Sequence, residues 1–157
     1  MNKELTGRAQ RFIDELAHCV DIGLQAYKVD HNGATTLILP FNEALVGNTD
    51  TRIMHGGAIT TLMDTASGTS VICTLEDFEI CPTLDLRIDY LKSAEPDKPI
   101  YGFAECYRVS RNVVFTRGTA YQDDMNDPVA HCVGTFMRLG TEFTPEYFRT
   151  RVLEGKR

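Results

Sequence analysis

At 157 residues the chain has the length of one ordinary domain, able to bury about 68–70% of the surface that its unfolded form exposes. With 43% hydrophobic and 24% charged residues and no low-complexity run, it reads as globular. Its net charge of −6, with acids and bases interspersed, argues against nucleic acid or a membrane surface as a partner, while leaving room for a local basic mouth.

Leu5, Ala9, Phe12, Ile13, Leu16 and Ala17 recur at helical spacing, which predicts an N-terminal amphipathic helix over about 3–19. Residues 22–29 and 34–39 are strand-like, joined by His31-Asn32-Gly33, whose Asn-Gly suits a tight hairpin turn. Residues 40–54 hold no sustained period and read as a loop. A long helix then runs from about Gly56 to about Leu75. After the acidic turn of Glu76, Asp77 and Glu79, Leu84, Leu86, Ile88 and Tyr90 alternate with Asp85, Arg87 and Asp89, a strand with one buried and one wet face. Strands over 100–109, 113–122 and 129–139 follow. Thr144-Pro145-Glu146 reads as an N-cap and first-turn proline opening a short C-terminal helix over about 145–154. With no repeat and no linker, residues 1–157 are expected to form one domain, with a core of about 20–140. Runs of strands beside a segregated helix give the α+β class.

The five cysteines are odd in number, widely spaced and free of any C-x-x-C pairing. They fit neither a disulfide framework nor a zinc site, and point to reduced core residues in a cytoplasmic protein. Glu4, Arg8, Arg11 and Asp14 leave no apolar core for a signal peptide. No segment reaches the roughly 18 apolar residues of a membrane span. His18, His31 and His131 have no ligand partner at metal spacing, so no metal is expected.

The most informative stretch is His55-Gly56-Gly57-Ala58-Ile59-Thr60-Thr61-Leu62-Met63-Asp64-Thr65-Ala66-Ser67-Gly68. From Gly56 to Leu75 the only ionisable side chains are Asp64 and Cys73. A helix so apolar and so rich in small residues is buried around most of its circumference. A lone carboxylate there is expensive unless it is hydrogen-bonded. Either Thr60, Thr61 or Thr65 satisfies it, or it does chemistry. The sheet covers one side of such a helix, and the simplest cover for the other is a second copy of the chain.

This stretch resembles the acyl-CoA thioesterases of the hotdog fold, in particular the PaaI-like branch named for phenylacetyl-CoA thioesterase. The register is His-Gly-Gly, four variable residues, Leu, one residue, Asp, with His55, Leu62 and Asp64 in place. The block Pro82-Thr83-Leu84-Asp85-Leu86-Arg87-Ile88-Asp89-Tyr90-Leu91-Lys92 is similar to the family's strand after the helix. The resemblance implies an antiparallel sheet wrapped around a long central helix. It implies an acyl-CoA substrate, with coenzyme A entering only as part of that substrate and no other cofactor. The Gly56 N–H would polarise the thioester carbonyl and Asp64 would act as general base or nucleophile. His55 would orient the loop and thioester, Thr83 would assist the water, and Asn48 corresponds to an Asn that many relatives place before the His.

The chemistry of the residues agrees. Helix N-terminal N–H groups are ready donors to the oxyanion of thioester hydrolysis, and Gly56 and Gly57 let a ligand approach the backbone. Among Lys92, Arg108, Arg111 and Arg117, Arg111 is the first candidate for the phosphates of coenzyme A. Phe41, Met54, Ile59, Met63, Phe78 and Tyr90 are candidates for an acyl pocket, and the sequence leaves the acyl group open, as it leaves open acyl carrier protein in place of coenzyme A. Asp64 lies eight residues beyond Gly56, about 12 Å along one helix. If both act on one carbonyl, they come from different protomers, which predicts a dimer or a tetramer built from dimers. A non-catalytic acyl-CoA or lipid-binding module on the same scaffold is the main alternative, ahead of a hotdog dehydratase or hydratase.

Overall fold

The computed structural model describes residues 1–155. Asn2 opens the first helix by accepting hydrogen bonds from the Glu4 and Leu5 N–H groups, and α1 runs Lys3–Asp14. Leu16 is extended, with φ −104° and ψ 94°, so the helix expected over 3–19 breaks there and a short α2, Ala17–Asp21, follows. The break is a packing result. It redirects the chain so that Cys19, Ile22 and Leu24 reach the same core as Ile13.

Strands β1 (Gln25–Val29) and β2 (Thr35–Leu39) form the expected hairpin. The stretch 40–54, read as a loop, holds a 3-10 turn at Glu43–Leu45 and a small hairpin of β3 (Val46–Asn48) and β4 (Ile53–Met54). Helix α3 spans Gly56–Thr74. Strands β5 (Thr83–Tyr90), β6 (Ile100–Val109), β7 (Val113–Tyr121) and β8 (Ala130–Met137) complete a six-stranded sheet in the order β1-β2-β6-β7-β8-β5. Its neighbours are all antiparallel. This is the α+β hotdog architecture, an antiparallel sheet around a long helix with an N-terminal helix beside it.

The central strands make room for α3. A Cβ at Gly102 would lie 2.8 Å from Leu62 Cγ, and one at Gly118 would lie 2.7 Å from Met63 Cε. Leu62 and Met63 are fully buried there. Helix α3 packs mainly on β2, β6 and β7, and less on α1, β8 and β5. Between its ends it leaves only Gly57, Thr60, Thr61, Asp64 and Gly68 unburied, a single line at three- and four-residue spacing.

Strand β5 is the edge strand beside β8, opposite the β1 edge, and it departs from the sequence reading. Its register (Leu86 opposite Gly134, Ile88 opposite Cys132, Tyr90 opposite Ala130) puts its apolar side chains on the helix side of the sheet. The sheet is wider than the helix, so Leu84 and Tyr90 remain 55% and 51% exposed instead of buried. Along the open line of α3 the uncovered large apolar side chains therefore belong to β5 and not to the helix, whose open line carries only small or polar residues.

Helix α4, Glu146–Glu154, closes the chain. Thr144 does not cap it, since no side chain does; its hydroxyl accepts from the Ile80 N–H at 3.0 Å, tying the loop after α3 to the C-terminal segment. Arg11 of α1 donates to the carbonyls of Val152 at 2.7 Å and Leu153 at 3.0 Å, docking α4 on α1. The same loop is anchored by Glu79, only 2% exposed, which meets Arg138 at 2.6 Å and accepts from the Gly140 N–H at 2.7 Å. Removing one partner of a buried ion pair strands the other charge. Arg138→Met is therefore expected to destabilise the protein by about 3 kcal/mol, read as a lower urea midpoint at unchanged slope; an unchanged midpoint would contradict the anchor.

Candidate active site

His55 is the N-cap of α3. Its backbone is extended (φ −63°, ψ 137°) and its Nδ1 accepts from the Gly57 N–H at 2.9 Å. That bond places the ring proton on Nε2. The Gly57 N–H is thus used within the protein, whereas the Gly56 N–H has no hydrogen-bond acceptor among the described residues. Tyr90 from β5 crosses this terminus: its hydroxyl donates to the Gly56 carbonyl at 2.6 Å and lies 2.9 Å from Thr60 Oγ1. A Cβ at Gly56 would stand 3.1 Å from Tyr90 Oη, so only glycine leaves this approach free. Tyr90, expected as a possible pocket liner, is instead a clamp on the first turn of the helix.

Two turns along, Asp64 is half-buried on the open line of α3. None of its helix neighbours satisfies it. Thr60 Oγ1 donates to the Gly56 carbonyl, Thr61 Oγ1 to the Gly57 carbonyl, and Thr65 Oγ1 contacts the Cys19 thiol. Thr83, the first residue of β5, donates to Asp64 Oδ1 at 2.8 Å. The second carboxylate oxygen accepts no hydrogen bond among the described residues. Both residues line a cavity of about 370 Å³ whose other walls are mostly apolar, with Phe12, Ile72, Phe78, Phe136 and Phe148 among them. The arrangement joins one fixed carboxylate, one free oxygen and an apolar chamber.

The remaining sequence candidates are placed less centrally. Asn48 is exposed and its side chain closes the β3–β4 turn, accepting from the Asp50 and Thr51 N–H groups at 3.0 and 3.1 Å. Arg111 sits in the β6–β7 turn, at the end of the sheet nearest the C-terminus of α3, without an ion pair among the described residues. Lys92 and Arg117 are paired with Asp127 and Glu105. Met54, Ile59 and Met63 are core residues, and Phe41 lies under the Arg52 guanidinium. Of the six acyl-pocket candidates only Phe78 lines the cavity at Asp64. Phe12 and Phe148, which also line it, come from the terminal helices, and no local pattern in the sequence points to them.

Cys81 lines the same cavity, and burial, reinforced by Glu79, pushes its thiol up to about 12. It stays a thiol at neutral pH and is unsuited to act as a nucleophile. All five cysteines are free. A second groove, on the other side of the helix terminus, brings His18 together with His55, Gly57 and Thr61. His18 Nε2 lies 3.4 Å from Thr61 Oγ1, a juxtaposition of residues far apart in sequence that spacing alone does not reveal. No helix among the described residues is long and apolar enough to cross a membrane.

The thioesterase superfamily matches this chain over residues 52–129, which hold the His-Gly-Gly terminus, Asp64 and Thr83. A protein from Pseudomonas aeruginosa of solved structure is 58% identical, with a TM-score of 0.79 over 86% of this chain and 99% of its own. A phenylacetic acid degradation-related protein from Ralstonia eutropha is 26% identical, with a TM-score of 0.69 over 83% of this chain and 98% of its own. A protein from Streptococcus mutans, solved bound to acetyl CoA, shares the fold at 23% identity and a TM-score of 0.65, covering 75% of this chain and 90% of its own. No curated protein matches the chain. From its fold, its helix-terminal motif and these likenesses, the chain belongs to the thioesterase superfamily.

Proposed function

We propose that the protein hydrolyses an acyl-CoA thioester to a carboxylic acid and free coenzyme A. The observation that carries this reading is Asp64, fixed through one oxygen by Thr83 at 2.8 Å and open through the other, at an apolar cavity. Membership of the superfamily supports thioester hydrolysis, and the acetyl CoA held by the Streptococcus mutans relative favours coenzyme A as the leaving group.

Asp64 Oδ2 takes a proton from a water as that water's oxygen attacks the thioester carbonyl carbon. The carbonyl π electrons move onto oxygen, and the Gly56 N–H holds the resulting oxyanion. When the tetrahedral intermediate collapses, the C–S bond breaks, the thiolate leaves, and protonated Asp64 returns the proton to sulfur. Thr83 holds Oδ1, so the oxygen that faces the water is the unpaired one. That division suits a general base. His55 and Tyr90 are positioning residues, one through the Gly57 N–H and the other through the Gly56 carbonyl.

The helix separates Gly56 from Asp64 by about 12 Å, so one active site takes Gly56 from one protomer and Asp64 from another. The open edge of β5, its exposed Leu84 and Tyr90, and the small-residue line on α3 are the surfaces on which a second copy would sit. Arg111 and Asn48 line neither the cavity nor the groove and remain candidates only, Arg111 for phosphate and Asn48 for the loop before His55.

Asp64→Asn keeps the shape and the Thr83 contact but cannot take a proton. Turnover in a thiol-release assay is expected to fall by about 10²-fold or more, with little change in Tm; turnover within a few-fold of wild type would make Asp64 structural. Tyr90→Phe removes only the hydroxyl on the Gly56 carbonyl. A displaced oxyanion donor is expected to lower kcat, by up to about 10²-fold, and to leave KM nearly unchanged. An unaltered kcat would remove Tyr90 from the account.

A further inference from the structure

The cavity at Asp64 has a direction. Asp64, Thr65, Gly68 and Ile72 of α3 line it in sequence, so it follows the helix away from the carboxylate for about 12 Å. At the Ile72 end stand three phenylalanines from three separate segments: Phe12 of α1, Phe78 of the loop after α3, and Phe148 of α4. The Phe12 and Phe148 rings meet edge to face with centroids 6.1 Å apart, and Phe78 and Phe148 stand 5.9 Å apart. None of these segments is free to swing. Arg11 ties α4 to α1, Thr144 holds Ile80, and the Glu79–Arg138 pair pins the loop.

We infer that this chamber takes the acyl group and that Phe12, Phe78 and Phe148 form a fixed stop that limits it to about ten carbons. The inference rests on the hydrolytic reading above and extends it to the substrate class: short- and medium-chain acyl thioesters. The depth sets the limit. An extended chain advances about 1.2 Å per bond, since a residue of three bonds spans about 3.3–3.6 Å, so a depth of about 12 Å takes about ten carbons. A sixteen-carbon chain, at about 18 Å by the same measure, exceeds it. The walls where the tail would lie are mostly apolar; Glu79, which also lines the chamber, is held by Arg138 and the Gly140 N–H, and the Asp64–Thr83 pair stands at the reacting end.

The test measures kcat/KM for straight-chain acyl-CoAs of four to sixteen carbons, and in parallel the calorimetric affinity for the corresponding free carboxylic acids. Wild type is expected to lose at least about tenfold in both between ten and fourteen carbons, the scale on which a packed apolar pocket rejects surplus methylenes. Phe148→Ala and Phe12→Ala open the stop from opposite sides and are each expected to move the fall to longer chains by two carbons or more. If Phe148→Ala disturbs the docking of α4, Phe12→Ala decides. A length limit in acid binding that shifts in the variants, with no acyl-CoA hydrolysed, supports the stop and overturns the hydrolytic reading. Hydrolysis with sixteen carbons accepted as well as ten, or a limit that neither variant moves, overturns the stop and leaves the hydrolytic reading standing. Absence of both hydrolysis and acid binding overturns both.

Discussion

Eight residues of continuous α-helix separate the Gly56 N–H from the Asp64 carboxylate, about 12 Å of rigid backbone. No side-chain rotation closes that distance, because one of the two groups is the backbone itself. The separation organises the rest of the molecule. It gives the carboxylate to Thr83 and the apolar chamber, and gives the donor end to His55 and Tyr90. Strand β5 serves both ends, with Thr83 at its start and Tyr90 at its finish, matched to the helix along which it lies. In the proposed mechanism each protomer therefore carries two half-sites at two places.

The burial of α3 explains why this arrangement stays fixed. A helix sunk onto the sheet between Gly102 and Gly118 has little freedom to slide, since Leu62 and Met63 occupy the space that side chains at those positions would need. Its polar residues are used locally: Thr60 and Thr61 bond back to the first-turn carbonyls, and Thr69 bonds to the Thr65 carbonyl. Such back-bonding satisfies hydroxyls without outside partners, so the helix can carry many threonines and still be buried. Asp64 is different: it is the one carboxylate on this helix, and its partner, Thr83, comes from β5, as Cys19, Cys132 and the Asn32 carbonyl come from other elements to Thr65, Ser67 and Thr74.

The sequence makes α3, its N-terminus and its carboxylate legible because the signals are local: two glycines after a histidine, an uncharged run and one acid. The β1–β2 hairpin is legible for the same reason, through Asn32-Gly33. What depends on packing is not. The break at Leu16 has no glycine or proline to announce it and follows from where Cys19, Ile22 and Leu24 must go. The alternation of β5 correctly assigns its faces, but not that a sheet wider than its helix leaves Leu84 and Tyr90 uncovered. Thr144 has the look of a helix cap and is spent on Ile80. The aromatic end of the cavity joins residues 12, 78 and 148, a proximity that only the docking of α4 on α1 creates.

The central claim, that Gly56 and Asp64 act together across two protomers, is tested most directly by mixing two inactive chains. One carries Asp64→Asn. The other carries Gly56→Pro, which deletes the donor N–H, together with Tyr90→Ala, because a Cβ at position 56 would stand 3.1 Å from Tyr90 Oη. Proline suits the first position of a helix, and the extended backbone of His55 (ψ 137°) is the conformation a following proline requires. Each chain alone is expected to be nearly inactive. In a purified heterodimer one site unites the intact helix terminus of the first chain with the intact Asp64 of the second, and the other site inherits every defect. The account predicts recovery towards half of wild-type turnover per heterodimer. Folded heterodimers that regain no activity would contradict it.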